Sequence, residues 1–192
     1  MTQLTSRIVQ TLSCTVRSHA TAEQIFCDNE AGRIVIESGL GLLRTKNNES
    51  SSSSSSIQSS QKPAPPPSLQ LCQRSLFFLQ ALVTSDRADK NRIDLFKPCI
   101  TYIVEHYLPD SEKEDTHFEI REMTLSLLHR ILTQNKCIEA VLDHKHFLIE
   151  MGVHRISTIR SLSGEDREFA EEELNYWETL MIELAKVKKI PE

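Results

Sequence analysis

The sequence predicts an all-α fold, an α-solenoid of stacked helical repeats closed by a C-terminal capping helix. Three observations predict it. Apolar residues recur at three- and four-residue spacing along most of the chain. Glycine is scarce, 5 in 192 residues, so left-handed turns are few, while Leu, Ile, Glu and Lys are common and mostly good helix formers. An order of long, short and medium helical segments also recurs along the chain. On spacing alone, a plain helical bundle is the alternative.

The elements follow in order. Ile8, Leu12 and Val16 repeat at spacing four, with Val9 and Thr15 alongside, and predict one apolar stripe of a helix ending near His19. Thr21 stands where it can cap a short helix carrying Ile25 and Phe26. A third helical stretch covers residues 32–43, with Ile34, Val35, Ile36, Leu40, Leu42 and Leu43. Its β-branched start is strand-like, but no hairpin partner or two-residue alternation accompanies it.

The composition then breaks. Residues 45–68 hold a serine run, 50–56, and the cluster Pro63, Pro65, Pro66 and Pro67. Such a stretch buries too little apolar surface to offset ordering entropy, which predicts a disordered insertion. Only residues 1–44 precede it, too few for a separate core, so the two flanks are expected to pack on each other.

After the break, Leu69, Leu71, Leu76, Phe77, Leu79, Leu82 and Val83 fit a helix apolar on most sides. A polar turn at 86–89 leads to a short helix with Ile93, Leu95 and Phe96. Pro98 is then expected to start a further helix with Ile100, Ile103, Val104 and Tyr107 facing inward. An acidic loop ends near Thr116. A long helix with Phe118, Ile120, Met123, Leu127, Leu128, Ile131 and Leu132 follows, then segments around 138–142 and 147–159. Ser161 or Ser163 is expected to cap the last helix, with Phe169, Leu174, Trp177, Leu180, Met181 and Leu184 on one face. Glu171, Glu172 and Glu173 at its start and Lys186, Lys188 and Lys189 at its end suit the helix dipole and read as solvated charge.

Composition bounds the function. With 27 acidic and 22 basic residues the net charge is -5, which gives no global basic field for nucleic acid. Five cysteines (Cys14, Cys27, Cys72, Cys99, Cys137) are scattered with no CxxC pair, as expected of reduced, mostly buried thiols in a cytoplasmic protein. No apolar run approaches the roughly 20 residues of a membrane span, and no secretory signal opens the sequence. His144 and His146 read as surface histidines, because two-residue spacing does not align them on a helix for a metal. GxSxG, HExxH and P-loop patterns are missing, and Gly39-Leu40-Gly41 lacks the strand and third glycine of a dinucleotide site. These features predict a non-enzymatic binding module without a cofactor.

Helical cycles begin near residues 5, 68 and 118. With the insertion set aside, their spacing is roughly 40–50 residues, the period of helical solenoids such as armadillo and HEAT repeats. The long helices can be superposed by their cores: residues 11–16 on 79–83 and 127–132.

Leu12-Ser13-Cys14-Thr15-Val16-Arg17 and Arg74-Ser75-Leu76-Phe77-Phe78-Leu79-Gln80-Ala81-Leu82 resemble two stretches of the armadillo-type nucleotide exchange factors that bind the cytosolic 70-kDa heat-shock chaperone. His154-Arg155, followed by residues 168–180, is similar to the terminal capping helix of that family. The resemblance spans nearly the whole chain except the insertion, which is foreign to the family pattern. Family members carry further helices upstream, so the chain looks N-terminally truncated, as an isoform or an incomplete gene model. An asparagine of the family pattern is Ala81 here.

The resemblance implies an armadillo-like solenoid: a partial repeat over 1–44, the insertion over 45–68, then repeats and cap over 69–192. It implies a co-chaperone that binds the chaperone's nucleotide-binding domain and promotes ADP release, with no nucleic-acid or membrane partner. The concave face of such a solenoid comes from the long helix of each repeat. The positions expected to meet the partner are Gln10, Cys14 and Arg17 in the first, Arg74, Phe77 and Ala81 in the second, and Glu122, Ser126 and Arg130 in the third. Arginines at these places suit acidic or backbone partners. The alternatives are a generic armadillo-type scaffold for some other protein, or a truncated isoform that binds the chaperone without efficient exchange. A small helical enzyme lacks any site.

Overall fold

Ten α-helices and no strand occur among the described residues, which are 2–43, 67–108, 118–134 and 139–187 of a computed structural model. In order they are α1 (Thr2–Ser18), α2 (Ala20–Asp28), α3 (Glu30–Leu40), α4 (Leu69–Val83) and α5 (Lys90–Tyr107). Then come α6 (Phe118–Thr133), α7 (Glu139–Leu142), α8 (Lys145–Ser161), α9 (Glu165–Phe169) and α10 (Glu171–Lys186). The all-α expectation is therefore met. Most of the serine-proline insertion, the acidic loop before Phe118, Cys137, Ile138, Lys188 and Lys189 lie outside the described residues. None of the described helices is long and apolar enough to cross a membrane.

The helices form two compact units, residues 1–82 and 83–192. The first is assembled from both sides of the insertion. Phe26 of α2 and Phe78 of α4 meet with ring centroids 4.8 Å apart, and Gly39 of α3 lies against Ser75 of α4. Leu40, Leu76, Leu79 and Leu82 are almost completely buried in this unit.

Local chemistry sets the helix ends, and not always as expected. Thr21 lies inside α2 and is exposed; the helix begins at Ala20 after an extended His19 that contributes no side-chain cap. At α3, Asn29 is the cap: its Oδ1 accepts from the Ala31 amide at 2.9 Å. Gly41 ends α3 at φ 93°, a left-handed conformation that lets its amide donate to the Glu37 and Ser38 carbonyls. Ser68 and Asp89 accept from the Leu71 and Arg92 amides at the starts of α4 and α5.

The buried line of α1 is also shifted. Ser6, Val9, Ser13 and Val16 are buried, while Ile8 is 49% exposed and Leu12 only half-buried. These four recur at spacing 3-4-3, which tracks one helix face as well as the four-residue stripe does. In α2, Phe26 packs inward on Phe78 as expected and Cys27 is buried beside it, whereas Ile25 is exposed.

In the second unit, the expected short helix and Pro98-initiated helix are one continuous element, α5. Pro98 removes the amide that would bond the Asp94 carbonyl. Both residues lie on the exposed side, while Phe96, Cys99, Ile100 and Ile103 hold the helix to the core from the other side. α10 packs against α6 and α8, burying Leu174, Trp177, Leu180 and Leu184. The expected Ser161 or Ser163 cap is replaced by the short α9, which Gly164 precedes at the N-cap position; Ser161 instead donates to the Thr158 carbonyl at the end of α8. Phe169, expected on the inner face of the last helix, belongs to α9 and is 75% exposed.

Candidate partner-binding face

In the first unit, Gln10, Cys14 and Arg17 are all exposed and follow one another at four- and three-residue steps along α1. This side is open because the unit buries Val9, Ser13 and Val16 instead. At its end, the Arg17 guanidinium carbon stands 4.6 Å from the ring centroid of Phe77 on α4. A cation over an aromatic face is attracted by the ring quadrupole, worth about 0.5–1 kcal/mol at an exposed site. Phe77 is itself 47% exposed, so the pair offers a flat, amphipathic surface to solvent.

Arg74 differs from the outward arginine that the sequence leads one to expect. It is half-buried and donates from Nη1 to the Ser6 hydroxyl at 2.8 Å, and that hydroxyl lies 3.4 Å from Gln70 Oε1. Arg74 therefore ties α4 to α1 and places Phe77, one helical turn further, beside Arg17. Ala81 is half-buried on the same helix.

In the second unit, α6 carries Glu122 and Ser126, both half-buried, and Arg130, which is exposed. Four-residue spacing puts the three on one face. Burial pushes the Glu122 carboxyl up from its ordinary value of 4.5 to about 7, helped by repulsion from Glu172, Glu173 and Glu119 and opposed by Arg121. Because the folded value lies above the unfolded one, folding favours the protonated form. That contribution is complete below about pH 4.5 and is lost as pH rises through about 7. Solvent screening of this partly exposed group limits the effect to about 1 kcal/mol. Glu122→Gln is expected to raise stability by about 1 kcal/mol at pH 8 and to leave it unchanged at pH 4. Urea melts of the two chains at both pH values check this, and equal differences at the two values would refute it.

A second constellation surrounds Glu173. Glu173, expected in a solvated acidic run, is 2% exposed. Arg155 of α8 grips it with two bonds, Nε to Oε1 at 2.7 Å and Nη2 to Oε2 at 3.0 Å. Arg121 of α6 brings its Nε within 3.0 Å of the same Oε1, and Trp177 donates from Nε1 at 3.2 Å. One carboxylate thus joins three helices. The sequence did hold a signal, since Glu173 precedes Trp177 by four residues and shares the buried face of Leu180 and Leu184.

His144 also differs from a plain surface histidine: it is half-buried, with Nε2 3.1 Å from Thr101 Oγ1, whereas His146 is exposed. Among the described residues, no three His, Cys, Asp or Glu side chains are grouped so as to hold a metal ion. The chain matches no protein-family description, no curated protein and no solved structure.

Proposed function

We propose that the chain is an armadillo-like co-chaperone that binds the nucleotide-binding domain of a cytosolic 70-kDa heat-shock chaperone and speeds ADP release. The observation that carries this reading is the Arg17–Phe77 pair, two exposed side chains, one from each of the two segments that resemble the exchange-factor family, with the guanidinium carbon 4.6 Å from the ring centroid. Arginine and aromatic residues dominate binding hot spots, because they bring large contact area and forked hydrogen bonds with little loss of freedom. The pair is already assembled, which lowers the ordering cost of binding.

The proposed mechanism needs no catalytic group. An exchange factor that binds the open nucleotide cleft more tightly than the closed one shifts the chaperone towards the open state, and ADP leaves from it. Tenfold acceleration requires a preference of about 1.4 kcal/mol.

The test is release of a fluorescent ADP analogue from a cytosolic 70-kDa chaperone with and without the full chain. Dose-dependent acceleration is expected. Arg17→Glu should raise the concentration for half-maximal acceleration about tenfold, while chain stability changes by no more than about 1 kcal/mol. Binding without acceleration would leave a scaffold or non-exchanging isoform, and no binding at all would remove the chaperone reading.

A further inference from the structure

The cap end of the second unit carries a groove that the chaperone reading does not use. It has a volume of about 320 Å³ and lies among the start of α6, the later turns of α8, and the α9–α10 corner. Phe118 and Phe169, 48% and 75% exposed, line it together with Leu162 and Ala170. The ion-paired Arg155 and Glu173 line it as well. At this volume it sits at the small end of ligand pockets, enough for one bulky side chain and too little for a large cofactor.

The corner beside the groove is net acidic. Residues 165–172 present five exposed carboxylates, Glu165, Asp166, Glu168, Glu171 and Glu172. The single arginine of that stretch, Arg167, donates to the Arg160 carbonyl at 3.2 Å, and Arg160 in turn donates to Glu178 at 2.9 Å. Arg155, which lines the groove, is paired with Glu173. An apolar slot with an acidic border is complementary to a segment that carries a bulky apolar residue among lysines or arginines.

We propose that this groove docks a short basic segment of a partner protein, one large apolar side chain entering between Phe118 and Phe169 while flanking cations meet the carboxylates of the α9–α10 corner. The anchor supplies most of the affinity, and the carboxylates supply orientation and a faster encounter. The surface is separate from the Arg17–Phe77 pair and does not depend on that pair's partner.

The test uses the full chain and a fluorescein-labelled peptide with Leu-Trp flanked on both sides by lysines, read by fluorescence anisotropy. Saturable binding is expected, weakened about tenfold by Phe169→Ser. Phe169 is mostly exposed, so this variant should keep the parent melting curve. Ile182→Ser, an exposed apolar change further along α10, should bind like the parent. A peptide with glutamates in place of lysines should fail to bind, and raising salt should weaken the lysine peptide. No binding up to about 1 mM peptide would overturn the proposal, since that marks only about 4 kcal/mol. So would equal affinity for both peptides, or equal losses from Phe169→Ser and Ile182→Ser. Concentration-dependent self-association abolished by Phe169→Ser, without peptide binding, would assign the groove to a second copy instead.

Discussion

Glu173→Ala is expected to lower the unfolding free energy of the second unit by about 3–5 kcal/mol, the usual result of removing one partner from a buried ion pair. The carboxylate is 2% exposed and is shared by Arg121 and Arg155, whose side chains are 4% and 12% exposed. Without it, two guanidiniums that converged on one oxygen face each other in a poorly hydrated site, and the Trp177 indole loses its acceptor. Coulomb repulsion then adds to lost hydrogen bonding. Trp177 is the only tryptophan of the chain, so its fluorescence reports this unit directly during urea unfolding. Glu173→Gln should cost less, because an amide retains one acceptor and nearly the same shape. Removing the charges together, with Arg121→Met, Arg155→Met and Glu173→Leu, should recover much of the loss, since a packed apolar replacement avoids desolvating the ions. A Glu173→Ala change below about 1 kcal/mol would show that the cluster contributes no more than a surface pair does.

Glu173 also marks where the sequence stops being legible. Periodicity located the helices, because amphipathic spacing follows from 3.6 residues per turn and needs no knowledge of partners. Periodicity alone does not fix which side of each helix faces inward. On α1 the apolar stripe runs through Ile8, Leu12 and Val16 with Val9 alongside, yet the unit buries Ser6 and Ser13 beside Val9 and Val16 and leaves Ile8 exposed. Ser6 can be buried because Arg74, 68 residues away, donates to its hydroxyl, and no local pattern encodes that pairing. The acidic run at the start of α10 misled for the same reason: a single carboxylate turns inward when arginines from two other helices meet it. Pro98 signalled a boundary, as proline usually does, but packing by Phe96 and Ile100 on the opposite face kept α5 intact. The candidate face was legible as positions on helices; the meeting of Arg17 with Phe77 across 60 residues was not.

The same long-range dependence gives the second large effect, at Gly39. This glycine lies in α3, where glycine costs about 1 kcal/mol relative to alanine in helix propensity, so its presence needs a packing reason. The reason is α4: a Cβ at residue 39 would stand 2.0 Å from Ser75 Oγ and 3.0 Å from Ser75 Cβ. The hydroxyl can rotate away, but the Cβ moves only with the backbone of α4. Gly39→Ala therefore sets a gain of about 1 kcal/mol in propensity against overpacking of about 1–3 kcal/mol, a small net loss. Gly39→Val adds two more carbons with little propensity gain and should cost about 3 kcal/mol. Amide hydrogen exchange at Leu40 and Leu79, one on each helix of the contact, should accelerate by about two orders of magnitude while the second unit keeps its protection. Ser75→Gly should restore much of the stability of Gly39→Ala, because it removes the two atoms that crowd the new methyl and leaves only the Leu71 Cδ1 contact at 3.8 Å. Coupling of at least about 1 kcal/mol between the two sites would identify the contact as the seam joining the segments before and after the insertion. Strict additivity would instead mean that α3 and α4 do not pack at Gly39 and Ser75, and that the first unit is held together elsewhere.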